Sequence, residues 1–169
     1  LIVQVRQLRV EDAPYLVDLF ENMGSDSRYN RFLQPVDNVG IDQIWSEAEN
    51  IAHQAGGTNF GLVAFADIDE REGVPVAGAR YVKLSSQQAE IAVSVRDDMQ
   101  RMGIGTHLLT MLVRNAEEYG IDQLVGTIQR GNAPMWAMLK KLGYRLEKQS
   151  EGSYSLVTIH LRESASRRE

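Results

Sequence analysis

Residues 89–128 constrain the fold more than any other stretch of the chain. Ala89-Glu90-Ile91-Ala92-Val93-Ser94-Val95 reads as a largely apolar strand. Gln100-Arg101-Met102-Gly103-Ile104-Gly105-Thr106 follows as a glycine turn, residues 104–119 as a long amphipathic helix, and residues 124–128 as a short strand. A strand, a helix and a strand in that order form a crossover, so two strands of one sheet run parallel. Leu108, Met111, Leu112, Ala116 and Tyr119 are the expected apolar stripe of the helix, and Gly120 ends it.

The flanking segments are read against this unit. Val3, Val5 and Leu8 mark a first strand, and Glu11-Asp12-Ala13-Pro14 opens a helix with acids and proline in its first turn. Residues 24–29 read as a loop. Ile44, Trp45, Ala48 and Ile51 predict a second helix over residues 41–53. Residues 59–67 and 76–84 predict a hairpin across a solvated turn at 69–73, with residues 89–95 as the third strand of a meander. Downstream, Asn132 can cap a helix whose apolar face is Met135, Met138, Leu139 and Leu142, closed by Gly143. Residues 144–147 and 154–161 predict two last strands. The result is a mixed α/β layer of seven strands.

Length and charge limit what such a layer can do. The chain has 169 residues, the size of one domain, expected over residues 1–161 with a polar tail at 162–169. Cysteine is absent, so there is no disulfide framework, no thiolate nucleophile and no Cys-ligated zinc, and a cytoplasmic setting is expected. The net charge is −5, without the basic excess of nucleic-acid binders. No apolar run approaches the ~20 residues of a membrane helix. His53, His107 and His160 lack metal-ligand spacing, and no metal is expected.

The glycine turn carries the chemistry. Gly103 and Gly105 permit a tight backbone path and leave N–H groups pointing out of a helix N-terminus, where unpaired donors and the helix dipole favour phosphate. A Walker A loop needs a lysine before Ser or Thr, and here Gly105 is followed by Thr106-His107. A dinucleotide fingerprint needs a small residue where Leu108 stands. Read alone, the segment is either a pyrophosphate cradle or a plain glycine start to a helix.

Its context adds a resemblance. Gln100-x-x-Gly103-x-Gly105 after an apolar strand resembles the acyl-CoA-binding signature of the GNAT N-acetyltransferase superfamily. Asn132, Met135, Met138-Leu139 and Leu142-Gly143-Tyr144 resemble that family's later segment. The element order agrees over nearly the whole chain, residues 3–161. Leu8-Arg9-x-Glu11-Asp12, Ser27-Arg28-Tyr29-Asn30-Arg31-Phe32 and Ala89-Glu90-Ile91-Ala92-Val93 resemble bacterial Pat-type protein lysine acetyltransferases, either a stand-alone member or an excised catalytic domain.

The resemblance implies a GNAT fold and acetyl-CoA as co-substrate. Gln100 and Arg101 would open the cradle, and Met102, Gly103, Ile104, Gly105 and Thr106 would hold the pyrophosphate by backbone N–H. Val93, Ser94 and Val95 would run along the pantetheine arm, Asn132 would reach its other side, and Glu90 would be the general base. The tyrosine that the family commonly places seven residues after the capping asparagine, as the acid for the leaving thiolate, is here Leu139. A thiol with a pKa near 8.5 leaves tolerably without it. The implied acceptor is an amine, first a protein lysine. The alternatives are a small-molecule amine, or a regulatory module that binds acyl-CoA without turnover. Gly105→Val is expected to block cofactor binding in a folded domain.

Strand alternation bears on Glu90 independently. Ala89, Ile91, Val93 and Val95 share one face, expected to be the core, and Glu90, Ala92 and Ser94 share the other. Small Ala92 and Ser94 are expected to leave a shallow space beside Glu90. Arg80 and Tyr81, on the neighbouring strand, are candidate acceptor-channel residues.

Overall fold

The computed structural model describes residues 1–23, 40–53 and 59–162. Seven strands form one sheet: β1 (Val3–Gln7), β2 (Phe60–Ile68), β3 (Arg71–Lys83), β4 (Gln88–Val95), β5 (Gln123–Gln129), β6 (Arg145–Glu151) and β7 (Tyr154–His160). Their order is β1-β2-β3-β4-β5-β7-β6. Every pairing is antiparallel except β4 with β5, the parallel pair that the crossover demanded. Four helices are described: α1 (Ala13–Glu21), α2 (Ile41–His53), α3 (Ile104–Glu118) and α4 (Ala133–Lys141). The loop expected at 24–29 and the Ser27–Phe32 match of the resemblance lie outside the described residues.

Each sheet face has its own core. On one side α3 buries Leu108, Leu109, Leu112, Val113 and Ala116 against Ala79, Ala89 and Leu124. On the other, α1 and α2 bury Leu16, Leu19, Phe20, Ile44 and Ile51 with Leu8 and Val63. The stripe of α3 is therefore turned from the expected one. Leu109 and Val113 join it, whereas Tyr119 is 67% exposed at the C-cap.

The hairpin is tighter than its sequence suggested. Only Asp69 and Glu70 turn, and β3 restarts at Arg71. Asp69 takes the left-handed region at φ 54°, and the Asp67 carboxylate accepts from Gly73 N at 2.9 Å, which satisfies the returning backbone locally. Pro75, which has no N–H for the ladder, falls at the register shift between Ala64 and Phe65.

The entry to α1 is fixed by a buried carboxylate. Asp12 accepts two bonds from the Arg6 guanidinium, each 2.8 Å, and a third from Arg9 N at 2.6 Å. Burial pushes the Asp12 carboxyl up, but Arg6 and the Arg9 N–H outweigh it and hold the group below the ordinary carboxylate value.

Candidate active site

β4 and β5 stay together for three rungs only: Gln88 with Gln123, Ala89 with Leu124, and Glu90 with Val125. Beyond Glu90 no rung joins them, and a cleft of about 650 Å³ opens between the strand ends. Val93, Ser94 and Val95 form its β4 wall. Gln100, Arg101, Gly103, Gly105 and Thr106 line its floor at the start of α3, and Asn132, Met135 and Met138 line the α4 side.

The floor is the N-terminus of a 15-residue helix. Gly103 is its N-cap, in the left-handed region at φ 82°, and no side chain caps it. The first intrahelical bond runs from His107 N to Gly103 O. The amides of Ile104, Gly105 and Thr106 thus precede the helical ladder, the state in which a helix start attracts an anion. Arg101 also adopts positive φ, 66°, an uncommon setting for a residue with a side chain. At α4 the donors are used internally: Asn132 Oδ1 accepts from Met135 N at 3.2 Å.

Several sequence expectations change here. Met102 is 54% exposed and Ile104 is buried in the core, and neither side chain lines the cleft. Any part they play at the floor is a backbone part. A Cβ on Gly105 would lie 2.9 Å from Met138 Sδ and 3.2 Å from Val95 Cγ2. The Met138 thioether can move but the Val95 methyl sits on the sheet, so a side chain at position 105 presses on the packing of α3 against β4 as well as on the cradle. Gly103 is the reverse case, since a Cβ there meets nothing within 4 Å and only its φ requires glycine.

Glu90 is exposed and occupies the last rung before the strands part. It does not line the cleft itself. It lies on the α1/α2 face, while Val93 and Val95 pack toward the α3 core. The space beside it is not open as expected. Ser94 is 6% exposed, and Leu19 and Phe20 of α1 cover Ala92 and Ser94, leaving a cavity of only about 20 Å³. Tyr81 is turned to the α3 side, 2% exposed, and donates to Asn115 Oδ1 at 2.6 Å. Burial pushes its phenol up. Arg80 alone of that pair shares the face of Glu90. Burial pulls its guanidinium down, and the charges of Glu47 and Glu90 act the other way.

Met23, Met99, Gln129 and Arg130 also line the cleft, and sequence reasoning did not assign them to it. Gln129 and Arg130 were findable, since they lead directly into the capping Asn132. Leu139, the position of the missing tyrosine, is 1% exposed in the core. His107 is exposed, and among the described residues no group of three His, Cys, Asp or Glu side chains could hold a metal. No described helix is long and apolar enough to cross a membrane.

A sheet split at one parallel pair over an uncapped helix start is matched by known proteins. The family profile of the acetyltransferase (GNAT) domain matches residues 3–145. The chain belongs to the GNAT acetyltransferases. It is 25% identical over 152 residues to the L-methionine sulfoximine/L-methionine sulfone acetyltransferase of Pseudomonas paraeruginosa, covering 86% of this chain and 81% of that one. The GNAT domain of S. lividans PAT superposes with a TM-score of 0.72 at 23% identity, over 94% of this chain and 90% of that one. The PaiA N-acetyltransferase of Thermoplasma acidophilum, solved with coenzyme A, superposes at 0.67 and 15% identity, covering 95% and 99%. The fold is thus the GNAT fold. The protein is an N-acetyltransferase of that family.

Proposed function

We propose that this enzyme transfers the acetyl group of acetyl-CoA to an amine by direct attack in a ternary complex, with Glu90 as general base. The observation that carries the reading is the position of Glu90 at the last rung of the split pair, beside the cleft that starts at the α3 N-terminus. The cleft takes the cofactor. The amides of Ile104, Gly105 and Thr106, with those of Met102 and Gly103, hold its pyrophosphate, and Gln100 and Arg101 border it. The backbone of Val93, Ser94 and Val95 guides the pantetheine arm, and Asn132 flanks it from α4.

The residues then divide the work. An amine attacks only when neutral. A lysine with a pKa of about 10.4 is neutral about one time in a thousand near pH 7.4, a cost of about 4 kcal/mol. Glu90 takes the proton, directly or through one water. The C–N bond forms, the C–S bond breaks, and CoA leaves as thiolate. Leu139 lies in the core and offers no proton, so another group or solvent protonates the thiolate. A sequence free of cysteine supports direct attack over a thioester-linked enzyme, and a cytoplasmic setting.

Two acceptors have support. Likeness over 86% of the chain to a methionine sulfoximine and sulfone acetyltransferase favours a small amino-acid-like amine. The superposition on the GNAT domain of a Pat protein favours a protein lysine. The deciding experiment incubates the enzyme with labelled acetyl-CoA and both acceptor classes, reading released CoA thiol and acetylated product. Binding of acetyl-CoA with no thiol release in the presence of either class would leave the chain a binding module. For the base, Glu90→Gln should slow transfer near neutral pH by about 10²–10⁴ and leave acetyl-CoA affinity within a few-fold. The loss should shrink as pH rises toward the amine pKa. Near-normal activity at pH 7 would remove Glu90 from the mechanism.

A further inference from the structure

Arg80, on the α1/α2 face, feels the charge of carboxylates from two different elements. The register Arg80↔Ala92 and Val82↔Glu90 places Arg80 of β3 two rungs from Glu90 of β4, on the same face. Such diagonal neighbours lie about 7–8 Å apart at the backbone, within reach of long side chains. Alanine at position 92, directly opposite Arg80, puts no long side chain between the two. Arg80 borders cavities walled by Leu8 and Ile51, in apolar surroundings where a guanidinium needs opposite charge. Glu47, half-buried on α2 between the buried Ile44 and Ala48, supplies it from the helix layer. One carboxylate would neutralise the arginine, and this fold brings two within its field.

We propose that Arg80 is a positioning residue for Glu90, holding that carboxylate at the split of β4 and β5 through a Glu47–Arg80–Glu90 bridge that ties helix α2 to the base. The proposal rests on the reading of Glu90 as base. An exposed glutamate without an anchor spreads over several staggered rotamers, and only some of these face an incoming amine. Arg80, set in the sheet and in turn held from α2, narrows that choice. Through Glu47 the seating of α2 reaches the chemistry although α2 contributes no residue to the cofactor cleft.

The test is a double-mutant cycle on the full chain. Arg80→Gln should lower kcat about tenfold or more, short of the ~10² that a 1 Å misplacement costs, with KM and Kd for acetyl-CoA within twofold. Arg80→Lys should recover most of the loss, since the charge returns on a shorter contact. In the Glu90→Gln background Arg80→Gln should cost nothing more, because an anchor has no effect once its base is gone. Glu47→Gln should show the same background dependence with a smaller loss, and it carries the cycle if melting curves show Arg80→Gln unfolded. An equal loss in both backgrounds, or unchanged kcat in Arg80→Gln while Glu90→Gln is slow, overturns the bridge. If Glu90→Gln is itself as fast as wild type, the base reading fails and the bridge fails with it.

Discussion

Gly103 and Gly105 stand two residues apart in one motif and require glycine for unrelated reasons, which a melting experiment can separate. Gly103 adopts φ 82° with open space at its Cβ position. Alanine there should cost only the left-handed backbone, about 1–2 kcal/mol, and asparagine less, since it tolerates that region. At 2–4 °C per kcal/mol for a chain of about this size, Gly103→Ala should melt about 2–8 °C low and Gly103→Asn nearer to wild type. Gly105 carries no such φ, but its Cβ would meet Met138 Sδ at 2.9 Å and Val95 Cγ2 at 3.2 Å. The thioether can swing aside, whereas the Val95 methyl is fixed to the sheet. Gly105→Ala gains about 0.5–1 kcal/mol of helix preference and loses about 1–3 to overpacking. Gly105→Val should lose about 3 kcal/mol or more. Val95→Ala should therefore relieve Gly105→Ala and do nothing for Gly103→Ala. Strict additivity of Gly105→Ala with Val95→Ala would refute the packing argument. Loss of acetyl-CoA affinity in a stable Gly103→Asn protein is then the cleaner test of the cradle than any change at Gly105.

Two further outcomes follow from buried residues. Asp12→Asn should destabilise the fold by about 2–3 kcal/mol, since three charge-assisted hydrogen bonds converge on that carboxylate. Because the folded value of Asp12 lies below the ordinary 3.8, its contribution is complete above that pH and fades as pH falls through the folded value. The gap in Tm between wild type and Asp12→Asn should therefore be full at pH 6 and narrow below about pH 3.8; a gap constant down to pH 2 would show that the charge is irrelevant. Leu139→Tyr restores the family's phenol in sequence but at a position 1% exposed, so it should cost about 1–3 kcal/mol and leave kcat unraised. A faster enzyme would mean that the phenol reaches the cleft.

What could be read from the residues alone follows from what periodicity measures. α2 begins and ends at Ile41 and His53 as its apolar spacing predicted, and the crossover from β4 through α3 to β5 was implied by pattern order. The alternation of β4 separated Glu90 from Val93 and Val95 correctly. Periodicity assigns residues to opposite faces but does not say which helix covers which part of a face. Ser94 lies under α1 while Glu90, four residues away on the same side, remains exposed. The same limit placed Tyr81 beside Glu90, when its phenol is spent on Asn115 across the sheet. Nor does a motif state which of its glycines serves the backbone and which serves a neighbour, because Met138 approaches Gly105 from 33 positions further along the chain. The chemistry of this site depends on one such long-range event. β4 and β5 must pair long enough to fix Glu90 and then separate, and the rung that ends the pairing is the rung that carries the carboxylate. A substitution that extended the ladder past Val125 should therefore close the cleft without touching any residue of the cradle.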